Sequence, residues 1–120
     1  MKIAFTVSGD TLEAPLDSRF GRAPKFLVYD LDNASFEIVD NEQNLNAAQG
    51  AGIQSAQKVV ETGSTAVVTG HCGPNAFRAL NAASVKIYTS EASTVAEALA
   101  LYRDGKLSEA GGSDVEGHWV

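Results

Sequence analysis

The segment Ala66-Val67-Val68-Thr69-Gly70-His71-Cys72-Gly73-Pro74-Asn75-Ala76 constrains the fold of this chain more than any other. Its first four residues are a short, apolar, β-branched run, as expected of a strand covered on both faces of a parallel sheet. Gly70 ends the strand. Pro74 falls where a helix accepts it, in the first turn, because its missing N–H has no intrahelical partner there. Ala76, Phe77 and Leu80 follow at helical spacing.

A helix starting at this point aims unpaired N–H groups and the positive end of its dipole at whatever lies above the strand end, so the turn is a ready anion site. His71 and Cys72 add soft donors, which suit copper, zinc or iron–sulfur species better than magnesium or calcium. One thiol and one imidazole fall short of a closed structural metal site, and the chain has a single cysteine, so no C-x-x-C pair exists. Any metal here is incompletely ligated or is carried inside a prefabricated anion. The plainer alternative makes Cys72 a small buried hydrophobe and His71 a loop residue bonded to backbone.

At 120 residues the chain is one domain with enough length for a proper core. Its net charge of −6 argues against a nucleic-acid partner, whose phosphates demand lysine and arginine. The lone cysteine excludes an internal disulfide and suggests a reducing compartment. Met1-Lys2 leads straight into a strand with no signal peptide, and no apolar run approaches the ~20 residues that span a bilayer, so the expected location is cytoplasmic, away from membranes.

Ile3–Val7 is the first strand. The loop from Thr11 to Pro24 is long enough to carry function, and within it Ser18-Arg19-Phe20-Gly21-Arg22-Ala23-Pro24 sets two arginines around an aromatic and a glycine, a possible anion clamp. Lys25–Leu31 and Ser35–Asp40, joined by the short polar turn Asp32-Asn33-Ala34, form an antiparallel hairpin. A polar stretch from Asn41 to Gln49 precedes Gly50-Ala51-Gly52, which opens a helix with apolar face Ile53, Ala56, Val59 and Val60; Gly63 stops it. Val85–Tyr88 is the fifth strand. Thr94 and Glu97 form a capping box for the last helix, whose face is Val95, Ala98, Leu99 and Tyr102, and which Gly105 closes. Residues 1–105 are thus the expected domain, and 106–120, with His118 and Trp119, the expected flexible tail.

This order puts the first and fourth strands side by side in the middle of a sheet with helices on both faces. Ligands of such sheets sit beyond the carboxyl ends of the central strands. The loop after the first strand, the Gly50–Gly52 turn and the His71-Cys72 turn are expected to meet there.

A competing chemistry is a cysteine-dependent oxyanion enzyme, of phosphatase or arsenate reductase type, since His71-Cys72 followed by Arg78 has the H-C-x5-R spacing. Pro74 removes one amide of such a cradle, and Ala79 stands where a Ser or Thr usually follows the arginine. Carboxylate–metal nuclease chemistry lacks its acids on the first strand, and no phosphate-binding glycine loop is present.

The chain resembles the dinitrogenase iron–molybdenum cofactor biosynthesis family, small carriers of metal–sulfur clusters. The resemblance rests on Met1-Lys2-Ile3-Ala4, on Ser18 to Phe26, on Val68 to Ala76 and on the Gly50-Ala51-Gly52 turn. It implies a ribonuclease H-like α/β fold with a five-stranded mixed sheet in the order 3-2-1-4-5, strand 2 antiparallel. It also implies a non-enzymatic carrier whose cargo is an anionic, non-covalently held, easily lost metal–sulfur cluster of molybdenum with copper, with cofactor-assembly or other cytoplasmic proteins as further partners. By the same resemblance Arg19 and Arg22 neutralise the cluster, Phe20 shields it, Gly21, Gly50, Ala51, Gly52, Gly70, Gly73 and Asn75 bring backbone or polar groups to it, and His71 or Cys72 contacts a metal.

Overall fold

A computed structural model describes residues 1–41 and 51–110. The elements are β1 (Lys2–Val7), a single 3-10 turn (Phe20–Arg22), β2 (Lys25–Asp30), β3 (Ser35–Asp40), α1 (Ala51–Glu61), β4 (Ser64–Thr69), α2 (Pro74–Ala82), β5 (Lys86–Thr89), α3 (Val95–Arg103) and β6 (Ser108–Glu109). One mixed sheet holds all the strands in the order β3-β2-β1-β4-β5-β6. The parallel pairs are β1 with β4 and β4 with β5; the β1–β2, β2–β3 and β5–β6 pairs are antiparallel.

The strand period of two divides the core. Ala4, Phe26, Val28, Val67 and Ile87 face Ala56 and Val59 of α1 and Ala76 and Leu80 of α2. Ile3, Phe5, Leu27 and Val68 face the other way, onto Val95, Ala98 and Leu99 of α3. A sheet covered on both faces explains why β1 and β4 read as nearly continuous apolar runs. Local signals act as anticipated: the Thr94 hydroxyl accepts the Glu97 N–H at 3.2 Å, and Gly63 and Gly105 end their helices at φ +82° and +71°.

Two expectations require correction. The sheet has six strands, not five. After α3, Gly105 turns the chain back, Ser108 pairs with Thr89 and Glu109 with Tyr88, and the Ala110 N–H reaches the Ile87 carbonyl at 2.7 Å. The first residues of the expected tail therefore form an edge strand; 111–120, including His118 and Trp119, lie outside the described residues. A two-residue Ser-Glu strand has no periodicity by which to betray itself. The second correction concerns α1: Ala56 and Val59 are buried, but Ile53 and Val60 are 39% and 43% exposed, because they flank a groove toward Ala79 of α2 and its C-cap Ala83 instead of resting on the sheet. Among the described residues no helix is long and apolar enough to cross a membrane.

Candidate functional site

The carboxyl ends of β1 and β4 are joined by hydroxyls. Thr6 Oγ1 donates to the Asp17 carbonyl at 2.6 Å and lies 3.0 Å from Thr69 Oγ1, while the Asp17 N–H returns to the Thr6 carbonyl at 2.8 Å. The buried Asp17 carboxylate accepts the Arg19 backbone N–H at 2.9 Å and the Ser8 hydroxyl at 3.3 Å. These bonds lay the long loop across the strand ends. There Arg19 pairs with His71 in a parallel bridge, and the Phe20 N–H donates to the His71 carbonyl at 3.1 Å.

Two buried polar groups hold the far side of the same loop. Asn41 Nδ2 donates to the Ala23 carbonyl at 2.9 Å and to Ser55 Oγ at 3.1 Å, and the Asn41 N–H bonds the Pro24 carbonyl at 2.8 Å. Asn41 thus ties the end of β3, the 3-10 turn and α1 into one scaffold. In sequence it reads as one more residue of a polar stretch.

The loop pairing brings part of the expected constellation together. Arg19 and His71 are exposed neighbours beside the start of α2, with Arg22 exposed on the 3-10 turn and Gly21 half-buried within it. Gly73 occupies the N-cap of α2 with φ −74° and ψ 172° and brings no side-chain cap; any residue adopts those values, and a Cβ added there meets nothing within 4 Å among the described residues. Nothing among the described residues requires glycine at 73, and the helix N-terminus beside it offers N–H groups and a dipole that suit an anion. Asn75 is exposed and accepts a hydrogen bond from Arg78 at 2.5 Å.

Other expected residues serve the scaffold. A Cβ on Gly70 would lie 2.7 Å from Ser18 Cα and 2.8 Å from Ser18 O, so this glycine makes room for the arginine loop. A Cβ on Gly52 would come 3.2 Å from Ala76 Cβ, so Gly52 permits the close approach of α1 and α2. Ala51 begins α1, and Gly50 lies outside the described residues. Phe20 is 1% exposed, its ring 5.6 Å from that of Phe26; it underpins the turn and has no face with which to shield a ligand. Cys72, also 1% exposed, sits in the same apolar cluster, so its thiol does not present to the surface as a metal ligand. Arg78 points out from α2 while Cys72 points in, so the two do not converge as a cysteine-dependent oxyanion enzyme requires. Among the described residues no group of three or more His, Cys, Asp or Glu side chains is placed to hold a metal ion.

A cleft of about 420 Å³ opens from His71 and Gly70 toward the end of β5, within the size range of small-ligand sites. Thr89 and Ser90 line its β5 side, and Lys106, Leu107 and Ser108 close it. These residues carried no signal in the sequence, because the cleft exists only once β6 has folded back on β5.

An open sheet covered on both faces, with Arg19, His71 and the start of α2 gathered beyond its parallel strands, makes this an α/β domain of the layout in which ligands sit beyond the carboxyl ends of the strands. The chain belongs to the dinitrogenase iron–molybdenum cofactor family, whose model matches residues 1–105. Its structure is similar to the apo form of the orange protein from Desulfovibrio gigas, with 38% identity, a TM-score of 0.91 and coverage of 94% of this chain and 95% of that one. A Thermotoga protein provisionally labelled NifB, solved by NMR, is 34% identical with a TM-score of 0.84, covering 97% of this chain and 98% of its own. A protein of unassigned role from Methanocaldococcus jannaschii is 27% identical over 112 residues, 91% of each chain.

Proposed function

We propose that this chain binds an anionic metal–sulfur cluster without covalent attachment and carries or stores it in the cytoplasm for cofactor-assembly proteins, the cluster containing molybdenum with copper. The observation that carries this reading is the Arg19–His71 bridge, which sets a cation and a soft donor beside the start of α2. Cys72 is buried and the described residues supply no three-ligand metal site, so a cargo that brings its own sulfide ligands fits better than a bare metal ion. Membership of a family named for a cofactor, together with likeness to a protein solved in an apo form, supports the same reading. The oxyanion-enzyme alternative keeps only the H-C-x5-R spacing, since Cys72 is buried and Arg78 is exposed on α2.

The test is anaerobic titration of the purified chain with tetrathiomolybdate, with and without copper(I), following visible absorbance and the metal retained after gel filtration. Stoichiometric retention of a coloured molybdenum–sulfur species is expected. A folded protein that retains none would end the carrier reading.

A further inference from the structure

Beyond Gly70 and His71, the cleft takes its lining from the end of β5, the turn after it, α3 and the segment after Gly105. The Ser90 N–H donates to the Thr69 carbonyl at 3.0 Å, and Ser90 Oγ accepts the Ala92 N–H at 3.1 Å, which fixes the end of β5 and the turn into α3. The Lys106 N–H bonds the Leu101 carbonyl at 2.9 Å, and the pairing of Ser108 with Thr89 brings the segment after Gly105 over the opening. Three lining residues, Lys106, Leu107 and Ser108, lie beyond the stretch that the family model matches.

Resting on the carrier reading above, we propose that the anionic cargo is held in this cleft, on the β5–α3 side of His71, and that the chain's own segment 106–108 sets which cargo it accepts. Lys106 is exposed and makes no ion pair with a carboxylate among the described residues. It supplies a cation where the chain as a whole carries −6, and its long stem lets the ammonium meet a ligand at the rim. Leu101 and Leu107 supply an apolar wall, which suits the large, weakly hydrated sulfide surface of a thiometallate better than the strongly hydrated surface of phosphate or sulfate. Thr89 and Ser108 add hydroxyl donors. Glu91 is the single acid lining the cleft among the described residues, and it repels an anion placed there.

That acid provides a variant which needs no loss of fold. The full chain, its Glu91→Gln and its Lys106→Glu variants are titrated anaerobically with tetrathiomolybdate and copper(I), and the backbone amides are followed by NMR, which is possible because molybdenum(VI) and copper(I) are diamagnetic. Glu91→Gln is expected to tighten binding about fivefold and Lys106→Glu to weaken it about tenfold, with the largest shifts at Thr89, Ser90 and Leu107. Uptake by the wild type with both variants unchanged and shifts confined to residues 73–76 would put the cargo over the start of α2 and overturn this inference while leaving the carrier reading intact. No uptake by the folded wild type would overturn both.

Discussion

Ser18 Cα lies only 2.7 Å from the point where a side chain on Gly70 would begin. That contact lets the loop bearing Arg19 lie flat on the end of β4 and pair with His71. A methyl at position 70 meets backbone, which cannot swing aside as a flexible side chain does. Gly70→Ala is expected to cost about 1–3 kcal/mol, read as a lower midpoint in urea, and to weaken cargo binding in the fraction that stays folded. A variant as stable as the parent would mean that the loop does not need this approach.

Arg19→Glu with Arg22→Glu should weaken thiomolybdate binding at least about tenfold, since each change sets a negative charge beside an anion. Arg19 Nε lies 3.8 Å from the buried Asp17 carboxylate, so a carboxylate at 19 also repels Asp17 and lowers the melting temperature, and affinity is compared in the folded protein. The loss should shrink as salt is raised. Equal affinity in calorimetric titrations of parent and double variant would remove the arginines from the site.

Cys72→Ser separates the buried thiol from the binding surface. Placing a hydroxyl in the cluster with Phe20, Phe26 and Ala76 is expected to cost about 1–3 kcal/mol and to leave cargo affinity nearly unchanged. A thiol reagent should modify Cys72 slowly in the native protein and rapidly in denaturant. Loss of metal retention in a variant that remains folded would instead make Cys72 a ligand.

The pH dependence of stability has a sign at each end of the range. The Asp32 N–H, 2.9 Å from Asp30 Oδ1, holds the Asp30 carboxyl below its ordinary value, with help from the Asn33 side chain. A depressed native value gives stability that is present above the ordinary carboxylate range and fades as pH falls through the native value. Burial raises the Tyr102 hydroxyl above its ordinary value of about 10, so its contribution is complete below pH ~10 and disappears as pH rises through the native value. Denaturant midpoints from pH 2 to 11 should show both declines, and Asp30→Asn should flatten the acid side. An acid limb unchanged in Asp30→Asn would rule out the hairpin carboxylate.

Much of the architecture is readable because it depends on neighbours in the chain. The β2–β3 turn, the Thr94 cap, the glycines at 63 and 105 and the proline at the start of α2 all act within a few residues of themselves. The apolar runs of β1 and β4 likewise report a sheet covered on both faces. The direction of a side chain at an irregular turn is another matter. Phe20 and Cys72 sit among expected ligand contacts in the sequence, yet both face inward, because the Phe20 N–H to His71 carbonyl bond fixes how the two turns face each other.

By itself the sequence determined the order of the first five strands and the three helices, the hairpin, the parallel core and the family, since periodicity, caps and breakers are properties of short stretches. Only the tertiary structure decided that Arg19 stands beside His71, that Gly70 serves Ser18, and that the residues after Gly105 return as a sixth strand to close a cleft. Those outcomes rest on backbone hydrogen bonds and close approaches between segments far apart in the chain. Such contacts depend on where the rest of the fold delivers each segment, and leave no local pattern to read.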